Sequence, residues 1–331
     1  MVRIKGEIVQ LFAYHHPIDF MGKSKISLFF SALIVAVSIG LVLFKGLNLG
    51  IDFAGGTLVQ VQYEKAAPIK KMREVLSKDK IFAGSSISEF GSPNEVIVRV
   101  KNSTGGVTSD LGDVARNLLQ GTGNFEIRRV DIVGPKVGSE LKEKGIMAML
   151  LAIIGILIYV SIRFEWRFAV ASVFALVHDI SIAMGALVLF NVDVNLDILA
   201  ALLTILGYSL NDTIIVFDRI REGLIASKTS VLEETINESV TRTLSRTTLT
   251  SLTTFFVVLT LYLFGGEIIN GFAFTLLVGV IVGTYSSIFV ASSLLARFGF
   301  SVTGYKTKLA NKAKRVKEKE RMRAQFEQGS V

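Results

Sequence analysis

The chain has 331 residues, half of them hydrophobic, and a mean hydropathy of +0.53, which is too apolar for an ordinary soluble domain. Cysteine is absent, so disulfides, thiol catalysis and cysteine-held metal are excluded. The net charge of +8 is spread over the flanks of apolar stretches instead of one patch, so no nucleic-acid partner is expected.

Residues 1–25 form an N-terminal segment containing Arg3, Lys5, Lys23 and Lys25, expected on the cytoplasmic side. The apolar stretch 26–45 that follows is too long for a signal-peptide core and lacks an Ala-x-Ala site behind it, so it reads as an uncleaved anchor. Beyond it lies Asn48-Leu49-Gly50-Ile51-Asp52-Phe53-Ala54-Gly55-Gly56-Thr57. By itself this run reads as a tight turn, with glycine supplying positive φ.

The polar segment 46–143 is long enough for a domain of its own. Thr57–Tyr63 alternates as a strand, and Pro68 opens a helix over 69–76 with Ile69, Met72, Val75 and Leu76 on one face. Ile87–Phe90 and Val96–Val100 flank Gly91-Ser92-Pro93-Asn94 as a hairpin. Ser109 and Asp110 cap a helix through Leu119, Gly121–Asn124 ends it, and Phe125–Val133 is the last strand. The order βαββαβ predicts a ferredoxin-like α+β domain, a fold that fixes no function. It holds no His, Asp or Glu cluster at metal spacing, so a docking or substrate-contact module is expected.

Five more apolar stretches, near 145–162, 168–190, 196–217, 244–264 and 270–297, are long enough to span a bilayer of about 30 Å. The last is long and is expected to tilt or run into the interface. Arg163, Arg167, Arg219, Arg221, Lys228, Arg242, Arg246 and the basic tail 298–331 lie on one side of these spans, while 191–196 and 265–270 carry no Lys or Arg. This asymmetry predicts a multi-pass protein of the cytoplasmic (inner) membrane, both termini inside and 46–143 outside. The tail reads as a segment facing anionic membrane lipid or a partner.

Several polar residues sit inside the spans. Asp212, within Gly207-Tyr208-Ser209-Leu210-Asn211-Asp212-Thr213, lies about 9 Å along a helix from Asp218. A carboxylate at that depth costs about 2.5–3.5 kcal/mol on insertion scales. Two readings stand: an ion or proton path, or a polar clamp between helices. His178-Asp179 lies mid-span in the third stretch, on different faces of the helix, with a role in proton handling or in packing. In the fifth span Arg246, Thr250, Thr253 and Thr254 form one polar stripe, expected to face the bundle as path or as glue. Arg246 and Asp212 fall at similar depth, where pairing would hold the carboxylate ionised and separation would let it take a proton. Gly279, Gly283, Ser287 and Ala291 make a small-residue ridge for close packing. Gly22-Lys23-Ser24 fails as a phosphate loop because its first glycine position is Pro17, and no nucleophile elbow or His-Glu-x-x-His occurs. No enzyme activity, cofactor or metal is expected, and an ion gradient is the energy source the residues suit.

The turn Asp52-Phe53-x-Gly55-Gly56, His178-Asp179, the 207–213 run, Asp218-Arg219-Ile220-Arg221-Glu222 and Ser245-Arg246-Thr247 followed by Thr250-Ser251-Leu252-Thr253-Thr254, in this order on six spans, resemble the SecF members of the SecD/SecF family of protein-export membrane proteins. The resemblance covers residues from about 18 to 297. It implies half of a bundle of the resistance–nodulation–division kind, with SecD as the other half. It implies assistance to unfolded polypeptides leaving the SecYEG channel, with SecA and YajC in the wider complex and H⁺ or Na⁺ as coupling ion. By the same resemblance Asp212 and Arg246, with Asn211, Thr213, His178 and Asp179 near them, belong to the ion path. Asp52, Phe53, Gly55 and Gly56 belong to the junction of helix and domain. A half-transporter of lipid or small molecules, and a structural partner without ion conduction, are the alternatives.

Overall fold

Six helices of 22 to 33 residues are long and apolar enough to cross a membrane, and a four-stranded sheet stands between the first two. The computed structural model describes residues 17–101, 111–226, 231–300 and 302–328. Arg3, Lys5, Ser109, Asp110 and Lys228, named above, lie outside the described residues.

The spans are α1 (Ser24–Lys45), α5 (Pro135–Arg163), α6 (Trp166–Leu189), α7 (Leu196–Ala226), α8 (Leu232–Phe264) and a last one built from α9 (Glu267–Tyr285), a π-helical turn (Ser286–Ala291) and α10 (Ser292–Arg297). α6, α7 and α9 form the inside of the bundle, while α1 and α5 present Phe29, Leu33, Leu43, Ile154 and Ile158 outward as a lipid-facing surface. Lipid offers no hydrophobic drive for helices to associate, so close approach through small residues takes its place. A Cβ on Gly185 would lie 2.4 Å from Ser38 Cβ, which sets α1 against α6. One on Gly279 would lie 2.2 Å from Ile205, and one on Gly283 would lie 3.0 Å from Ser209 Cβ, so the ridge of small residues seats α9 on α7.

Two helices run well past the predicted spans at the end away from the domain. α7 continues to Ala226, and α8 begins at Leu232, with Leu232, Ile236 and Val240 buried. Glu233, Glu234, Asn237 and Glu238 hide that start from a hydropathy reading, since only one stripe of the first turns is apolar. Residues 17–23 lie against this stretch. The amides of Phe20 and Met21 donate to Asn237 Oδ1 at 3.0 and 2.9 Å, and that of Ile18 donates to Thr241 Oγ1 at 3.0 Å. The Gly22 amide and then the Asn237 side chain hold the Asp19 carboxyl below the usual carboxylate range. The basic tail is a single helix, α11 (Val302–Gln328).

The outer domain comprises β1 (Gly56–Tyr63), α3 (Ile69–Leu76), β2 (Ser86–Phe90), β3 (Ser92–Lys101), α4 (Leu111–Leu119) and β4 (Phe125–Val133). The strand order β2-β3-β1-β4, antiparallel throughout, is the ferredoxin-like arrangement that the element order predicts. Val59, Val61 and Tyr63 alternate inward from β1 and pack with Met72, Leu76 and Leu119. The hairpin is tighter than predicted: Gly91, at φ +71°, turns the chain alone and β3 starts at Ser92. Residues 135–143, assigned above to the domain, belong to α5, which Pro135 opens at a position where its missing N–H costs nothing.

The junction is more than a turn. Gly50 N–H donates to Val194 O at 2.8 Å and Val194 N–H to Asn48 O at 2.7 Å, stitching the exit of α1 to the α6–α7 loop. A short helix, α2 (Ile51–Ala54), then sinks Phe53 among Leu187, Val194 and Ile198. Asp52 Oδ2 accepts the Leu196 amide at 3.0 Å, at the N-terminus of α7, where a negative charge is favoured. Gly55 and Gly56 have φ of +72° and +143°. A Cβ on Gly56 would lie 2.3 Å from the Val100 carbonyl oxygen, which belongs to the sheet and cannot move aside.

These positions predict different costs for two otherwise alike substitutions. Gly84→Ala, at φ +82° with open space around it, should cost only the left-handed penalty, about 1–2 kcal/mol. Gly56→Ala should cost clearly more and loosen the base of β1 from β3. Limited proteolysis of the two variants in detergent checks this, and equal resistance would contradict it.

Candidate functional site

Two carboxylates are buried in the bundle, and their surroundings differ. Asp179, on α6, is fully buried, and donors reach it from three elements. His178 Nδ1 is 2.8 Å from Oδ1, Ser286 Oγ of the π-helical turn donates to Oδ2 at 2.8 Å, and Ser209 Oγ of α7 donates to the same oxygen. The extra residue of a π-turn shifts side chains around the helix. Here that turn begins at Ser286, which bonds Asp179.

The expectation that His178 and Asp179 face apart is corrected, because the imidazole folds back onto its neighbour's carboxylate and both are buried. The His178 ring stacks on Tyr285, with centroids 6.2 Å apart, and Tyr285 Oη in turn donates to Ser27 O and accepts from Ser31 Oγ on α1, both at 3.1 Å. His178 Nε2 is buried without a hydrogen-bond partner.

Asp212, on α7, is 1% exposed and accepts one side-chain hydrogen bond, from Ser251 Oγ of α8 at 3.1 Å. Among the described residues it has no ion pair. It lies three residues after Ser209, so along α7 the Asp179 and Asp212 sites are about one turn, or 5 Å, apart. Thr213 is buried beside it with Oγ1 unpaired, while Asn211 is exposed on the outer side of α7.

The expected pairing of Arg246 with Asp212 is corrected. Arg246 is exposed and makes no contact with that carboxylate. Ser251, not Arg246, defines the face of α8 turned to α7, and five residues separate them, about 140° around the helix. Thr250 and Thr253 turn outward with Arg246 while Thr254 is half-buried, and the hydroxyls of all three are bonded to carbonyls of α8 itself. The hydroxyls that do face inward are Thr235, Ser239, Thr243, Thr247 and Ser251. Their strict four-residue spacing was there to be seen, but it crosses the predicted start of the span. Ser209 lies inside the 207–213 run without being singled out there, and Ser286, which completes the Asp179 site with it, carries no sequence signal beyond being a hydroxyl in an apolar run.

Among the described residues no three His, Asp or Glu side chains are placed to hold a metal ion. The chemistry on offer is that of single carboxylates in hydrocarbon with hydroxyl donors: taking and releasing a proton, or holding a small cation. At the outer end of the sheet an open polar cleft of about 730 Å³ is lined by Gln62, Glu64, Asn94, Asn124 and Arg128 among others.

Comparison with known proteins agrees along nearly the whole chain. Residues 114–301 match the model of the protein export membrane protein SecD/SecF C-terminal family, and residues 40–67 match the SecD/SecF GG motif. The chain is 49% identical over 323 residues to the protein translocase subunit SecF of Helicobacter pylori strain J99, covering 98% of this chain and all of the relative. It is 42% identical over 286 residues to the SecF of Escherichia coli O157:H7, covering 85% and 88%. The crystal structure of SecDF, a translocon-associated membrane protein from Thermus thermophilus, superposes with a TM-score of 0.78 at 35% identity over 87% of this chain. This chain spans 39% of that longer SecDF chain. The glycine pair of the junction, the His178-Asp179 pair and the Asp212 helix all lie within the matched residues, and the chain belongs to the SecD/SecF family of protein-export membrane proteins.

Proposed function

We propose that the chain acts as the SecF subunit of a protein translocase. With a SecD partner it would use a proton or sodium gradient to assist polypeptides through the SecYEG channel, within a complex that includes SecA and YajC. Both termini lie in the cytoplasm and the ferredoxin-like domain on the outer side, where its polar cleft meets the polypeptide. No enzymatic step is part of this reading.

The observation that carries it is Asp212: a carboxylate inside a membrane helix, 1% exposed, with one hydroxyl donor and, among the described residues, no cation paired with it. Such a group is expensive to keep and most often marks an ion pathway. Asp179 is better suited to the clamp, since its three neighbours tie α6, α7 and the π-turn together. A SecD half is supported by what this chain leaves open. Gly207 and Asn211 are exposed on α7, and a Cβ on Gly207 would meet nothing within 4 Å. A bare glycine and an amide on a membrane helix suit close contact with another helix better than lipid.

The two carboxylates are expected to part ways on mutation. In vesicles holding the chain with SecD, Asp212→Asn should reduce gradient-dependent translocation to the level of vesicles without the complex, with folding intact. Asp179→Ala should instead cost about 3–5 kcal/mol of stability by stranding its buried donors, read as a lowered melting temperature. Undiminished coupling in D212N would sink the carrier role.

The open face gives a separate expectation. Gly207→Leu should leave the stability of this chain within about 0.5 kcal/mol, because the new side chain meets only empty space here. It should nonetheless weaken co-purification with SecD. Normal recovery of the pair would place the partner elsewhere.

A further inference from the structure

α8 carries a hydroxyl at every fourth position from Thr235 to Ser251; all five are buried, and Thr235, Ser239 and Ser251 lie against α7. A step of four residues advances about 6 Å and about 40° around a helix, so the row runs some 24 Å and winds about 160° around α8. It begins one turn inside α8, beside the exposed Glu233 and Glu234, and ends at Asp212, which accepts the Ser251 hydroxyl. α7 lies along the row. At its other end a Cβ on Gly223 would come within 2.6 Å of Ser239 Oγ and 3.1 Å of Thr235 Cγ2.

Packing alone explains part of this. Helical Ser and Thr commonly bond back to their own helix, and Thr235 and Thr243 do so, to Val231 O at 3.2 Å and Ser239 O at 3.1 Å. The pattern breaks nearest the carboxylate. Ser251 turns away from its own backbone to Asp212, and Thr247 Oγ1, one turn before it, is buried with no partner. Thr213 Oγ1, beside Asp212 on α7, is likewise buried and unpaired. Two orphan hydroxyls flanking a carboxylate supply the polar partners that a buried water needs. The outer stripe of Arg246, Thr250 and Thr253 has no orphan hydroxyl of this kind, since both its threonines bond α8 carbonyls.

We propose that the α7–α8 seam is the route by which water and protons reach Asp212 from the side of the basic tail, along Thr235, Ser239, Thr243, Thr247 and Ser251. It rests on the reading of Asp212 as an ion carrier, but its test measures access and not transport.

The chain has no cysteine, so single-cysteine variants carry no background. Thr243→Cys, Thr247→Cys, Thr250→Cys and the lipid-facing control Ile158→Cys would be assembled with SecD in sealed vesicles. Each would be treated from either side with a charged, membrane-impermeant methanethiosulfonate. Because a thiol in apolar surroundings stays protonated and inert, T243C and T247C should react at least about tenfold faster than I158C, and from the tail side only. Thr to Cys changes the side chain little, and co-purification with SecD verifies that each variant is assembled. An unreactive T247C in an assembled complex overturns the route, as does labelling from the domain side. T250C reacting while T247C does not would move the path to the outer face. The D212N translocation result bears on the carrier alone, so a failed route and a failed carrier are told apart.

Discussion

Hydrocarbon solvates neither carboxylates nor hydroxyls, so a bundle that places Asp179 at its centre must bring donors to it. That requirement accounts for much of the packing. Ser209 reaches Asp179 from α7 and Ser286 from the π-turn, and because both bond the same oxygen the last span must lie close on α7. Gly279 and Gly283 permit that approach, since a side chain at either would collide with Ile205 or Ser209. On the other flank Gly185 lets α1 close over α6, and Tyr285 bridges the His178 ring to α1. The small residues and the polar knot are one device: glycine gives the distance, and the carboxylate gives the reason for it.

Asp212 stands against this background. It is nearly as buried as Asp179 but is met by a single hydroxyl, at the seam where α8 leaves the central packing. A carboxylate with several good donors is fixed in place, and releasing it would strand each of them. One with a single donor exchanges its state at smaller cost. The division of roles proposed for two chemically identical groups rests on their neighbours, and those neighbours come from different helices.

Much of the fold was legible because its signals are local or repetitive. Span length, the alternation of Val59, Val61 and Tyr63, and the turn at Gly91 belong to short stretches of chain. The resemblance of the 207–213 run to SecD/SecF proteins pointed at Asp212. The direction in which a polar face of a membrane helix looks was not legible. Both Arg246–Thr250–Thr253 and Thr247–Ser251 are polar rows on α8, and only the packing of α7 selects the second. His178 and Asp179 were read as facing apart because a helical wheel places Cβ atoms and knows nothing of a ring folding back. The long amphipathic start of α8 and the helical tail were hidden by their charges.

The junction shows how the two halves of the molecule meet. α7 carries Asp212, and its first amide is held by Asp52, sixteen residues or about 24 Å away. Asp52 sits on α2, whose next residue, Phe53, is sunk among side chains of α6 and α7, and whose end is fixed by Gly55 and Gly56 against α5 and β3. Arg99 of β3 adds an ion pair to Asp193 in the α6–α7 loop at 3.4 Å. α7 is continuous from Leu196 to Ala226, so a tilt imposed at Asp212 is delivered at Leu196 instead of being lost in a hinge. There it meets a helix of four residues with backbone contacts on both sides and a glycine pair that admits no slack. Movement of α7 therefore has to move the base of β1 or break the Asp52 contact.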